Sequence, residues 1–247
     1  ERFIESLPFK LTTSQSRAVD LVCDDLVGEF ASSRLIQGDV GSGKTIVSAI
    51  VAYATYISGL QTAFLAPTEL LVDQHYEYIK NLFNRKNIRV ASLKGSMSTK
   101  IKNDTIKRLE NGSIDIIIGT HSLLNSSILF KKLGLCIIDE QHKFGINQRS
   151  SLVKNRDPSD MSPHIIYMSA TPIPRSLALV LYQGLDYTTI KDMPKGRKHV
   201  ITERIDPNSR SVMYSKIEEH LIEGKQIFWV CPVINISESS ELESIYS

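Results

Sequence analysis

Eight consecutive residues, Gly38-Asp39-Val40-Gly41-Ser42-Gly43-Lys44-Thr45, fit the pattern G-x-x-x-x-G-K-[ST] at every fixed position. Glycines 38, 41 and 43 let the backbone curl until successive N–H groups converge, making an anion nest that the positive end of a following helix extends. In such a nest Lys44 reaches the β and γ phosphates of a nucleoside triphosphate. The Thr45 hydroxyl becomes a ligand to Mg²⁺, a small octahedral ion that leaves its other positions to phosphate oxygens and water. Mg-ATP is the ligand this implies. Much further along, the apolar run Leu135-Cys136-Ile137-Ile138 leads directly into Asp139-Glu140-Gln141-His142. Two carboxylates then stand at the end of a buried strand, the edge where open α/β sheets bind ligands. Asp139 would hold Mg²⁺, usually through water, and Glu140 would orient and polarise the water that attacks the γ phosphate.

Short polar segments follow two other apolar runs: Ser169-Ala170-Thr171 after residues 165–168, and Gly119-Thr120-His121 after residues 114–118. Each alone is equally a helix cap or a turn. Their shared placement at strand ends argues for more.

The elements that must position these groups are legible as apolar runs separated by helical stretches. Residues 34–36, 62–65, 114–118, 135–138 and 165–168 each have the character of a strand buried on both faces. The spacing between them leaves room for helices, which is the pattern of a parallel α/β sheet. Helices are predicted over 46–57, 69–83 and 100–110, the last closed by Asn111-Gly112. At residues 192–198 proline, glycine and basic side chains interrupt the alternation and predict a linker, with a domain boundary near residue 196. Beyond it lie strand candidates at 200–205 and 226–231 around a helix candidate at 211–223, too little to form a secure domain.

Composition limits the alternatives. The chain has 247 residues, 42% hydrophobic, and no apolar run reaches the roughly 18 to 20 residues that cross a bilayer. The opening Glu1-Arg2-Phe3-Ile4-Glu5 is not a secretory signal, so a cytoplasmic location without a membrane partner is expected. Cys23, Cys136 and Cys231 are far apart and set among apolar residues, which predicts buried free thiols. The net charge of +2 hides an uneven distribution, since residues 80–110 hold nine basic side chains against Asp104 and Glu110. That segment is either an attractive surface for a polyanion or a solvated helical face.

Together these motifs resemble those of superfamily 2 helicases, and within them the bacterial helicases that act on branched DNA. The residues carrying the resemblance are 11–15, 37–45, 66–71 with Gln74-His75, 118–121, 138–145, 169–175 and 194–198, nearly the whole chain. It implies a RecA-like P-loop NTPase, a parallel sheet flanked by helices over 1–196, and an incomplete second RecA-like domain over 197–247. It also implies a bacterial, nucleoid-associated monomer that uses ATP and Mg²⁺ to remodel duplex DNA, stalled forks and Holliday junctions in repair and recombination. By this likeness Gln15 reads adenine, with Phe9 a stacking partner, and Pro67, Thr68, Glu69, Gly119, Thr120 and His121 contact the nucleic-acid backbone. His142, a further catalytic group, joins Ser169, Ala170 and Thr171 in coupling the γ phosphate to DNA movement, and the role of Arg175 stays open.

The nearest rival is the transcription-repair coupling translocase, whose motors generally carry Asp-Glu-Glu-His where this chain has Asp139-Glu140-Gln141-His142. Departures from the branched-DNA pattern are small: Lys143 stands where arginine is common, and Lys195 replaces a second proline before Gly196. The absent initial methionine and an end in mid-pattern suggest a fragment lacking the second domain's arginines, hence weak hydrolysis. An isolated nucleotide- or DNA-binding module is the remaining alternative.

Overall fold

A computed structural model describes residues 2–28, 30–124, 128–140, 162–171, 185–193, 200–206 and 209–230. The chain divides into two units, Glu1–Arg197 and Lys198–Ser247.

In the first unit a short helix α1 (Arg2–Glu5) precedes α2 (Thr13–Val27), β1 (Ser33–Gly38), α3 (Lys44–Ile57), β2 (Gln61–Leu65), α4 (Glu69–Leu82) and β3 (Val90–Leu93). Then come α5 (Thr99–Glu110), β4 (Ile116–Gly119), a 3₁₀ turn (His121–Leu124), β5 (Leu133–Ile138), β6 (His164–Ser169) and β7 (Leu185–Ile190). The seven strands form one sheet in the order β3-β4-β2-β5-β6-β1-β7. Every pairing is parallel, as the spacing of apolar runs implied. All carboxyl ends therefore lie along one edge.

Local signals set the helix ends. Thr12 caps α2 by accepting from the Gln15 N–H while the Gln15 side chain accepts from the Thr12 N–H, a reciprocal capping box. The Thr68 hydroxyl caps α4 by accepting from the Leu71 N–H. Helix α5 stops at Asn111, and Gly112 follows at φ 79°, a left-handed residue of the kind that ends helices.

Strands buried on both faces build two apolar layers, since alternate side chains point to opposite sides. Ile36, Phe64, Ile118, Ile137 and Met168 pack with α2, α3 and α4. Leu35, Leu65, Ile117, Ile138 and Tyr167 pack on the other face with Leu109, Leu123 and Phe130. Each such side chain contributes about 1.5–3 kcal/mol on burial. Arg34 fastens β1 to its surroundings: Nε donates to Asp25 of α2 at 2.5 Å, and Nη1 donates to Thr188 of β7 at 2.9 Å.

Strands β3 and β7 were not legible as buried runs. Both are edge strands: Val90, Ala91 and Ser92 are only half-buried, and β7 alternates buried with exposed or half-buried positions. In Lys198–Ser247 the expected helix forms as α6 (Arg210–Ile222), with no buried residue. Neither expected strand forms among the described residues: 200–205 and 226–230 run without a ladder, and Val200, Ile201, Phe228 and Val230 are at least 80% exposed. Apolar character makes a strand only where a neighbour supplies the ladder hydrogen bonds. Trp229 instead stacks on Tyr214, with ring centroids 6.0 Å apart.

Candidate functional site

The phosphate loop is the turn from β1 into α3. Gly41 and Gly43 lie at φ 76° and 89°, where side chains are rarely tolerated. At Gly38 the constraint is space, because a Cβ there would sit 2.5 Å from Ser42 Oγ. The first N–H groups of α3 have no intrahelical partner and point into the loop. Lys44 is folded back over it, its Nζ donating to the Gly38 carbonyl at 2.7 Å and the Asp39 carbonyl at 3.1 Å. Burial pushes the Lys44 ammonium below the usual lysine range, and the carboxylates of Asp139, Glu140 and Asp39 oppose that shift. A phosphate would suit this group, since it replaces weak carbonyl partners with anionic ones. The buried Ser42 hydroxyl has no hydrogen-bond partner among the described residues, so a polar donor stands in the same loop unused. Donor nest, half-buried cation and orphaned hydroxyl all fit a polyphosphate.

Beside the loop, a cavity of about 1030 Å³ is walled by Phe9, Leu11, Gln15, Gly43, Tyr78 and Asp192. Phe9 is 45% exposed in that wall, and Gln15 is 3% exposed. Gln15 Nε2 donates to the Ser42 carbonyl at 2.8 Å, and Oε1 accepts from the Thr12 N–H at 2.9 Å. The amide thus ties α2 to the phosphate loop and keeps one N–H for a base. Asp192, just past β7, accepts from the Ser14 N–H at 2.8 Å and hydroxyl at 2.6 Å, which holds its carboxyl below the usual range.

Asp139 directly follows β5 and is buried. Its Oδ2 lies 2.9 Å from Nε2 of His75, and its Oδ1 accepts from the Glu140 N–H at 3.0 Å. Glu140 stands at φ 50°, a left-handed conformation for a residue with a side chain. Such strain concentrates at functional sites. Lys44 lies near enough to Asp139 and Glu140 to feel both carboxylates. His142 and Arg175 lie outside the described residues.

At the end of β6, Ser169 is fully buried and its hydroxyl meets the Thr171 hydroxyl at 2.9 Å. Gln37, the residue before Gly38, donates from Nε2 to the Thr171 carbonyl at 3.3 Å. Its Oε1 is buried without a partner. Gln37 therefore joins the phosphate-loop strand to the Ser169-Ala170-Thr171 segment.

The remaining strand ends form the other half of the edge. Thr68 is exposed at the start of α4, and Pro67 is half-buried beside it. The Glu69 carboxylate is engaged, with Oε1 accepting from the Ser96 N–H at 2.9 Å and Oε2 from the Ser96 hydroxyl at 2.5 Å. Those bonds hold it below the usual glutamate range. Thr120 is buried with its hydroxyl 3.2 Å from that of Ser122, Gly119 leaves no room for a Cβ against the Leu93 carbonyl, and His121 opens the 3₁₀ turn. Several of the basic residues of 80–110 are engaged locally. Arg89 pairs with Asp115 before β3 and β4, Lys94 pairs with Asp73 after β3, and Lys80 and Lys86 lie over aromatic rings. Cys136 is buried and Cys23 half-buried, with Cys231 outside the described residues.

Three residues carry geometry that sequence reasoning left without a role: His75, Gln37 and Ser96. A signal existed for His75, which shares the inner face of α4 with Val72 and Ile79 and so places a polar ring in an apolar stripe. Ser96 had none, since a serine in a basic loop is unremarkable until Glu69 is seen to hold it.

A family model described as DEAD/DEAH box helicase matches residues 12–180. The chain is 42% identical over 241 residues to the ATP-dependent DNA helicase RecG of Aquifex aeolicus, covering 98% of this chain and 30% of that protein. It is 43% identical over 244 residues to the RecG of Thermotoga maritima, covering 99% and 31%. The chain thus spans about three tenths of the length of these relatives. Among solved structures it matches RecG bound to a three-way DNA junction with a TM-score of 0.78 and 41% identity, over 90% of this chain and 29% of that one.

Proposed function

This chain belongs to the DEAD/DEAH box helicase family, and on that premise we propose that it is the first motor domain of a RecG-type, ATP-dependent DNA helicase. In this reading residues 1–196 are the ATP-binding RecA-like domain and 197–247 begin a second one. The observation that carries it is the order of groups along one sheet edge. The phosphate loop, the Ser169 segment and the Asp139-Glu140 pair occupy adjacent strand ends, and the polar ends of β2, β4 and β3 follow directly.

The loop N–H groups and the α3 dipole hold the phosphates of ATP, and Lys44 exchanges its carbonyl partners for β and γ oxygens. Thr45 and Asp139 hold Mg²⁺, whose role is to neutralise charge on the transferring phosphoryl group. Glu140 orients the attacking water and takes its proton. Gln15 offers its remaining N–H to the adenine, with Phe9 against the base. Pro67, Thr68, Gly119, Thr120 and His121 meet the DNA backbone through small polar groups and N–H donors, while Glu69 acts through Ser96. Ser169, Ala170 and Thr171, with His142, relay phosphate state to DNA movement. The substrates are duplex DNA, forks and Holliday junctions in repair and recombination, handled by a monomer in the bacterial cytoplasm at the nucleoid.

The test is Lys44→Ala and Glu140→Gln in the full-length protein. We expect both to abolish DNA-stimulated ATP hydrolysis and fork regression, with Glu140→Gln still binding Mg-ATP. Regression surviving in either variant overturns the reading, and nucleotide binding with no DNA-stimulated turnover in the unmutated protein leaves only a binding module.

A further inference from the structure

We propose that His75 is the positioning residue for Asp139, fixing the carboxylate that holds the nucleotide's divalent cation. The proposal rests on the reading of Asp139 given above and adds a residue to it. A carboxylate only accepts hydrogen bonds, so with Asp139 ionised the proton of the 2.9 Å contact sits on His75 Nε2. The imidazole itself has little freedom. It is 8% exposed, and its ring lies 4.6 Å from that of Phe64 at 43°. Val72 and Ile79, one turn to either side, are fully buried in the same face of α4. The ring is thus clamped by packing from β2 and α4, and it presents one N–H to one oxygen.

The effect on Asp139 follows from counting lone pairs. Two carboxylate oxygens offer about four acceptor directions. His75 takes one on Oδ2, and the Glu140 N–H takes one on Oδ1. Meanwhile the Asp139 N–H donates to the Leu65 carbonyl at 2.9 Å, so backbone and side chain are both anchored to β2 and α4. The carboxylate plane is fixed, and the acceptor directions left over are aimed rather than free to rotate. Its bond to the Glu140 N–H also helps keep the next residue in its left-handed conformation. Without His75, Oδ2 would lose its hydrogen bond from α4 and the carboxylate could turn about χ2. Partners of this kind behind a cation-holding group are worth roughly 10- to 100-fold in cation affinity.

A purely structural role for His75 gives a different result. Removing it would then weaken the fold and nucleotide binding alike, whether or not the cation is present. The measurement is equilibrium binding of a fluorescent mant-ADP to this chain, in Mg²⁺ and in EDTA, for the unmutated chain, His75→Leu, His75→Gln and Asp139→Asn. We expect Mg²⁺ to tighten binding to the unmutated chain. In His75→Leu that tightening should fall about 10-fold or more, toward the level of Asp139→Asn, with affinity in EDTA unchanged. His75→Gln keeps an N–H donor and should recover most of the Mg²⁺ effect. The proposal is overturned if His75→Leu keeps the full Mg²⁺ effect, if it loses affinity equally in EDTA, or if the glutamine variant fares no better than leucine. If the unmutated chain itself shows no Mg²⁺ effect, the reading of Asp139 fails and this inference with it.

Discussion

The two halves of the sheet's carboxyl edge solve opposite problems. At β5, β6 and β1 most of the polar groups are buried and bonded mainly to each other: Asp139 to His75, Ser169 to the exposed Thr171, Gln37 to the Thr171 carbonyl, and the half-buried Lys44 to the loop carbonyls. At β2, β4 and β3 they are shallower on the whole: Thr68 is exposed, Glu69 spends its charge on Ser96, and the buried Thr120 hydroxyl meets that of Ser122. A small, densely charged ligand is best held by fixed groups in a dry site, where each interaction is strong and reorganisation is small. A long polyanion is better met by exposed small donors that fix register without demanding one sequence. On the proposed reading, burial separates the two tasks along a single edge, and it makes distinct demands on mutants of each half.

The strongest break should come at the phosphate side. Lys44→Ala removes the cation folded over the phosphate loop, and a hydrogen bond from a charged donor contributes about 1.5–3 kcal/mol. We expect nucleotide affinity of this chain to fall about 10- to 100-fold, measured by mant-ADP titration, with the melting temperature nearly unchanged because its present partners are only loop carbonyls. The pH dependence has a definite sign. Burial lowers the Lys44 pKa in the free chain, and phosphates favour its charged form, so binding takes up a proton at alkaline pH. Affinity should therefore decline as pH rises, beginning below the ordinary lysine range, and Lys44→Ala should abolish that decline.

Gln37 sharpens the comparison from the stability side. Its Oε1 is buried and unpartnered, and its one bond, at 3.3 Å, is long. The Thr171 carbonyl would keep the Ser169 hydroxyl as a donor if that bond were lost. Orphaned buried acceptors cost about 1–3 kcal/mol, so Gln37→Leu should be neutral or stabilising by about 1 kcal/mol in denaturant unfolding. A clear destabilisation would mean that this half of the edge is optimised for stability, contrary to the contrast drawn here.

On the exposed half the expected effect is local. Glu69→Ala frees both the N–H and the hydroxyl of Ser96, so amide exchange at Ser96 should speed up while global stability stays the same. Nucleic-acid affinity should change by less than the loss caused by Lys44→Ala on the nucleotide. Unchanged exchange at Ser96 would show that the loop after β3 is ordered by something else.

Legibility in the sequence followed the same division. The loop at Gly38–Thr45 and the carboxylates at Asp139-Glu140 were readable because their chemistry demands fixed residue types at fixed spacing, and the doubly buried strands beside them are continuous apolar runs. Edge strands β3 and β7 were not, since a half-buried strand shares its composition with loops. Runs such as 226–230 misled for the converse reason: their β-forming residues lacked ladder partners. Ser96 gave no signal because its partner Glu69 is far away in sequence, and the polar ring of His75 in an apolar stripe did not by itself point to Asp139. The capping box at Thr12-x-x-Gln15 and the bond from Gln15 to Ser42 both emerged only in the structure.

The smallest effect lies at the opposite edge of the sheet and serves as a control for the other three. His164, the first residue of β6, accepts through Nδ1 from the Ser32 N–H at 3.2 Å, an arrangement open only to a neutral Nδ1. Burial lowers its pKa, and the nearby Asp25 carboxylate only partly opposes this. In the unfolded chain the value is about 6.5. As the folded value is the lower one, the unfolded state binds more protons between the two, so stability rises with pH across that window. The contribution is complete above about pH 6.5, is lost as pH falls through the folded-state value, and levels off below it. Melting curves between pH 5 and 8 should show this shallow slope in the unmutated chain and less of it in His164→Gln. Nucleotide affinity over the same range should be identical in the two, because nothing at this edge touches the phosphate loop. A difference in affinity would mean that the two edges are coupled through β6 and β1, and that burial alone does not isolate the nucleotide half of the site.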